Sequence, residues 1–383
     1  MILQHLKPLT SLRFVFSMMV FFSHLNFFKN SESNFSRHLY NTFFAEGYIG
    51  VSFFFVLSGF ILAYNYFDRI FLKKISYIDF LISRISRIFP LHFLTLLISI
   101  PLVISIYSDN FLTMESILQI PIFFFNTFLI QSFIPIKGVY FSFNSVSWSI
   151  SNELFFYVMT PLLFIKFNKL KIKEKLIKSS IIIFLTVFIG IQFAPEIYHH
   201  QIFYINPLLR IFDFILGIIL YLIFKKYSLI NKNTFFYSSI KEFASILILL
   251  LFVYFSSDVP QVYRYSIYYW LPMSFIIFTF SFSLGIVSQI LSNKIFLYLG
   301  EISFGFYLFH HLVINYYELF TSYFNLVLNE FISSFICFII SLFLSIISFE
   351  YFENKIKIKF KSFLLSKKEY INFTLLKFKT FKT

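Results

Sequence analysis

Two ionisable residues stand at opposite ends of the first apolar run, residues 9–28: Arg13 and His24. Helical steps of about 1.5 Å and about 100° set them about 16 Å apart along the axis and within about 20° of one face. Ionisable groups on a spanning helix are costly and usually turn toward a bundle interior or a watery cavity. The plainer alternative has Arg13 snorkelling to a headgroup and His24 at the opposite interface. Arg84 and Arg87, in RISRIFP, are neighbours on one helical turn. Their planar donor forks suit a phosphate-bearing ligand, although basic residues also serve as ordinary topological anchors. Glu153 follows Ser147, Trp148, Ser149, Ser151 and Asn152 in SVSWSISNELFFYVMTP. A carboxylate at the depth of His24 can orient an imidazole and raise its basicity for general-base work; its blander role is to cap the helix start.

His310 and His311 lie well inside a late apolar run, where histidines are functional candidates. No Cys, Asp or Glu accompanies them at ligand spacing, so no metal is expected. Arg210 and Asp213, at i and i+3, read as a local ion pair. His5, His38, His92, His199 and His200 fall at boundaries or in an outer loop and suggest interfacial roles.

The elements that must position these residues follow from composition. Phe alone contributes 63 of 383 residues and only 13% of the chain is charged, against about 25% in an ordinary soluble protein. An all-α polytopic membrane protein is expected. The net charge of +14 gathers in loops between apolar runs, the signature of membrane topology rather than of a nucleic-acid partner. One cysteine, Cys337, excludes a disulfide framework. The first run lacks a small-residue cleavage site and reads as an uncleaved span. There is no dinucleotide fingerprint, P-loop or metalloprotease motif.

Ten crossings are expected, near residues 9–28, 48–67, 89–107, 146–165, 180–193, 207–224, 243–255, 267–287, 297–319 and 331–349. Residues 116–134 are apolar too, but a crossing there would set the lysines of 166–178 opposite the basic loop 69–87. They read instead as an interfacial or re-entrant segment on the outer face. Both termini are then cytoplasmic, and of 32 basic residues only Lys29, Arg37, Lys137, Arg210 and Arg264 fall outside. Arg13 faces the cytoplasm and His24 the outer side. Residues 1–354 form the membrane domain, and 355–383 a basic amphipathic cytoplasmic tail expected on the anionic leaflet.

Six segments together resemble the integral-membrane acyltransferase 3 family. Arg13 and His24 resemble its basic-x10-histidine signature, and GYIGVSFFFVLSGFIL its second-span signature, with Gly50, Phe54, Ser58 and Gly59. RISRIFPLH resembles its Arg-x-x-Arg loop through Arg84, Arg87 and Pro90. Ser147, Trp148, Ser149, Glu153, Tyr157 and Pro161 match its Ser-Trp-Ser…Glu…Tyr…Pro segment. Arg210 and Gly217 match a later stretch, and His310 the late Leu-Trp-His. Phe309 stands where the family has Trp, and Glu353-Asn354-Lys355 lacks the closing proline.

The resemblance implies a standalone enzyme of a bacterial cytoplasmic (inner) membrane. It would move an acyl group, typically acetyl, from acyl-CoA to a hydroxyl of a cell-surface polysaccharide or lipid-linked saccharide. Arg13, Arg84 and Arg87 would hold the CoA phosphates. His24, oriented by Glu153, would be the base. His310 and Tyr157 would shape the site or stabilise the oxyanion, with Ser147, Trp148 and Arg210 in supporting positions. The lipid bilayer, acyl-CoA and the saccharide are the expected partners. A glycan or lipid transporter and a polysaccharide polymerase are the alternatives, and neither needs His24 to titrate.

Overall fold

The computed structural model describes residues 6–106, 113–168, 173–228 and 234–380. The chain folds into helices: α1 (Lys7–Ser23), α2 (Gly50–Phe71), α3 (Tyr77–Ile106), α4 (Met114–Thr127), α5 (Trp148–Asn168) and α6 (Lys173–Phe193). There follow α7 (Pro207–Tyr227), α8 (Phe235–Tyr254), α9 (Ile267–Phe280), α10 (Lys294–Tyr323), α11 (Glu330–Ile347) and α12 (Asn354–Thr380). The local signals are plain in α7. Asn206 caps its start by accepting from the Leu208 amide at 2.9 Å, Pro207 occupies the first turn, and Lys225 and Lys226 meet the C-terminal dipole.

Among the described residues, seven helical stretches are long and apolar enough to cross a membrane: Asn34–Phe71, Tyr77–Ile106, Ser145–Phe167, Pro207–Tyr227, Phe235–Asp258, Lys294–Tyr323 and Glu330–Lys368. The protein is multi-pass. Helix α1, with 17 residues, and α9, with 14, fall below that length, and in α6 only Lys178–Phe193 qualifies as a shorter apolar helix. The run expected to cross at 267–287 is broken after Phe280, where Ser283 adopts a left-handed φ of 55° before a short helix at Ile286–Leu291. Helix α4 has 14 residues, about 21 Å, too little to span about 30 Å of hydrocarbon alone. The lysine run 166–178 lies partly outside the described residues.

Two close helix contacts organise the bundle. A Cβ at Gly59 would come within 2.0 Å of the Phe214 carbonyl oxygen, and one at Gly217 within 2.0 Å of that of Val56. Backbones approach this closely in membranes only where both helices offer small residues, and this locks α2 to α7. Helix α1 lies likewise along α10, with Gly300 against the Thr10 carbonyl. Helix α11 continues through a π-helical turn, Ser348–Glu353, into α12, which runs back along α3. Phe360 stacks on Phe89 at 5.7 Å, and Lys368 Nζ meets Asp79 Oδ1 at 2.6 Å. The first part of the tail therefore packs along α3.

Candidate functional site

Helices α1, α2, α3, α5 and α10 enclose a cavity of about 140 Å³. Phe54, Phe55 and Ser58 of α2 form one wall. Arg13 of α1 and Arg84 and Arg87 of α3 face Glu153 and Tyr157 of α5 and Tyr307 of α10. A second, more polar cavity of about 310 Å³ adjoins it, sharing Arg13, Arg87 and Phe304. Helix α3 begins at Tyr77, twelve residues before the expected span, so Arg84 and Arg87 are held on a rigid helix rather than in a loop. Among the described residues none of the three arginines forms an ion pair. Arg84 donates to the Tyr66 hydroxyl at 2.9 Å and lies over that ring at 5.1 Å, which orients it without neutralising it.

His24 sits just beyond α1 as its C-cap. Its Nδ1 lies 2.8 Å from the Val20 carbonyl oxygen and 3.3 Å from His310 Nε2. His310, fully buried, has Nδ1 3.2 Å from the Phe306 carbonyl oxygen. A carbonyl only accepts, so in the neutral rings both Nδ1 atoms carry the proton. The His24 Nδ1–H is then shared between Val20 and the bare His310 Nε2, and His24 Nε2 is left with a free lone pair on a half-buried ring. His311 meets the His24 ring edge-on at 4.9 Å and is held by Ser145 Oγ at 3.2 Å and Asn315 Nδ2 at 3.2 Å.

The expected pairing of Glu153 with His24 is not what the structure brings together. Glu153 Oε1 accepts from the Tyr157 hydroxyl one turn along its own helix and shares the arginine-lined cavity. The partner of His24 is His310. The two ends are joined by α10, where Tyr307 lines the cavity, donates to or accepts from Ser149 Oγ at 2.8 Å, and lies 5.7 Å, ring to ring, from His310 one turn on.

Ser147 and Trp148 lie outside the cavity lining. Ser147 accepts from Gln131 at 3.2 Å, and Trp148 packs on Tyr204 at 4.8 Å. Arg210 is also away from the cavity. It pairs with Asp213 at 2.9 Å, donates to Ser52 at 2.9 Å and to the Tyr265 carbonyl, and lies over Phe55. His92, expected at a boundary, is fully buried and bonds the Asn126 carbonyl at 2.9 Å, tying α3 to α4. His200 faces Tyr140, Tyr204 and Tyr265 in the segment before α7. Burial, and then the Lys137 charge, hold its imidazole below the ordinary histidine value. Sequence reasoning left out Ser145, Asn315 and the role of His311. The available signal was the i, i+4 spacing of His311 and Asn315 in HHLVIN.

A family model described as an acyltransferase domain matches residues 8–350. The chain is 28% identical to the acyltransferase MdmB of Streptomyces mycarofaciens over 335 residues, 81% of this chain and 79% of that protein. It is 25% identical over 302 residues to candidate O-acetyltransferases of Staphylococcus aureus strains COL and MSSA476, covering 73% of this chain and 48% of theirs. The match thus spans about half the length of those relatives. No solved structure matches the chain.

Proposed function

The chain belongs to the integral-membrane acyltransferase 3 family, and from that premise we propose that it transfers an acyl group, acetyl in the simplest case, from acyl-CoA to a hydroxyl of a cell-surface polysaccharide or lipid-linked saccharide. The carrying observation is a pair of clusters linked through Tyr307 of α10, the arginine-lined cavity and the His24–His310 contact. Three arginines, none within ion-pair distance of a carboxylate among the described residues, stand with Glu153 at one end, and a histidine with a bare Nε2 at the other. The arginines suit the donor's phosphates, which bind guanidinium forks through charge-assisted bonds. The separation of Arg13 from His24 along the helix, about 16 Å, suits an extended pantetheine arm between them.

In the step itself the acceptor oxygen attacks the thioester carbonyl carbon, a C–O bond forms and the C–S bond breaks. His24 Nε2 takes the hydroxyl proton, and the CoA sulfur leaves as thiolate and is protonated in turn. His310 holds the His24 tautomer through the Nδ1–H contact. Tyr307 and Ser149 are bonded to each other and to the Val146 carbonyl, and they hold the wall between the arginine cavity and the histidine pair. Glu153 and Tyr157 act one turn away, balancing the arginine charge.

This reading counts α1, α6 and α9 extended by the short helix Ile286–Leu291 with the seven longer stretches, giving ten crossings of a bacterial cytoplasmic membrane with both termini inside. The basic residues between the apolar runs support that sidedness.

The test is acyl transfer by the purified protein in vesicles, using acetyl-CoA labelled in the acetyl group and membranes bearing surface saccharide. Labelled ester on the saccharide, with one CoA thiol released per ester, is expected. Saccharide export without ester formation would favour a transporter and overturn the reading.

A further inference from the structure

Helix α12 brings a second row of positive charge to the donor end. Lys357 lines the polar cavity with Arg13 and Arg87, and Lys361, one turn further along the same face, lies within electrostatic reach of Lys357 together with Arg84. Two carboxylates share that cavity, Glu301 and Glu353. Glu353 accepts from Ser348 at 3.1 Å, packs toward Gly305, and stands within electrostatic reach of Arg13, Arg87 and Lys357, leaving the cleft with an excess of positive charge. Neither lysine forms an ion pair among the described residues, whereas Lys368 on the same helix is paired with Asp79. The Phe360–Phe89 stack and the Lys368–Asp79 bridge hold α12 against α3 on either side of Lys361 in height. A basic cleft between α3 and α12 is thereby fixed at the mouth of the arginine-lined cavity.

We propose that Lys357 and Lys361 of α12, with Arg87 of α3, form the subsite for the nucleotide end of the acyl donor, its phosphorylated adenosine diphosphate. The proposal rests on the acyl-CoA reading above. It makes the C-terminal helix a donor-binding element rather than a leaflet anchor. A pantetheine thioester lacks these phosphates, so the subsite separates it from the full donor. Anionic lipid headgroups offer the same phosphate chemistry, and the experiment distinguishes them.

The full chain is placed in phosphatidylcholine nanodiscs, and the affinity for CoA is measured by calorimetry for the wild type, Lys357→Ala/Lys361→Ala and Lys357→Arg/Lys361→Arg. The alanine pair is expected to weaken CoA binding about tenfold or more, on the scale of a charge-assisted contact, and the arginine pair to restore it. KM for S-acetylpantetheine is expected to stay unchanged in both. CoA affinity within twofold of wild type in the alanine pair overturns the proposal. So does an equal loss with S-acetylpantetheine, or an effect confined to binding of phosphatidylglycerol vesicles. A wild type that binds CoA through these lysines yet transfers no acyl group would overturn the function and leave the subsite standing. A wild type that does not bind CoA overturns both.

Discussion

The molecule holds two sets of arginines, and they differ in how their charge is met. Arg210 is fully buried with Asp213 at 2.9 Å, and Arg264 is paired with Glu46, whose other oxygen accepts from Tyr269 at 2.8 Å. These ion pairs, with the bonds from Arg210 to Ser52 and from Trp270 to Asp213, join α2, the segment before it, α7 and α9. Arg13, Arg84 and Arg87 face a cavity that also holds Glu153, and among the described residues none of the three lies within ion-pair distance of a carboxylate; Glu153 and Glu353 act on Arg13 only over longer range. Guanidinium groups of the first kind are expended on the fold, and removing one leaves an uncompensated charge behind. Those of the second kind remain free for a ligand. The same residue type in similarly apolar runs thus serves stability in one place and binding in the other.

Four substitutions sharpen or break that contrast. Arg210→Ala strands Asp213 in the bundle and is expected to destabilise the protein by about 3–5 kcal/mol, read as loss of detergent-soluble protein or a large fall in Tm. Arg210→Ala/Asp213→Ala should recover part of it. Arg84→Ala/Arg87→Ala should do the reverse. Its Tm should stay within about 2 °C of wild type, while KM for acetyl-CoA rises about 100-fold, two charge-assisted contacts at about 1.5 kcal/mol each. A destabilised Arg84/Arg87 variant with normal KM would erase the distinction. The smallest effect is expected for Tyr157→Phe, which deletes only the bond to Glu153. A change of about fivefold in kcat/KM with unchanged expression is expected, worth about 1 kcal/mol.

Much of the site was legible in the sequence. Helical periodicity placed Arg13 and His24 on one face of α1, and the family resemblance picked out Arg84, Arg87, Glu153 and Tyr157, which the fold gathers around one cavity with Arg13. The partner of His24 was not legible. Depth along the membrane follows from residue counting, but azimuth depends on how helices pack. Glu153 and His24 were matched in depth, while the Gly300 contact between α1 and α10 decides that His310 faces His24. The start of α3 was missed for a different reason. Hydropathy marks where lipid contact begins, and α3 continues past that point to Tyr77 on backbone hydrogen bonds and on packing against α12. The break after Phe280 had a local signal in Gly285, the residue before the short helix Ile286–Leu291, which a reading by hydropathy alone passes over. Arg210 kept its local ion pair with Asp213, as its i, i+3 spacing indicated.

The central claim is that the arginine end binds the donor and the histidine end performs the proton transfer. It is tested most directly on one preparation of His24→Ala, with CoA affinity and acetyl transfer measured side by side in vesicles. The account predicts a Kd within twofold of wild type and a transfer rate lower by about 100-fold or more, the usual worth of a positioned general base. Transfer at the wild-type rate, or a loss of CoA binding equal to the loss of rate, would contradict it.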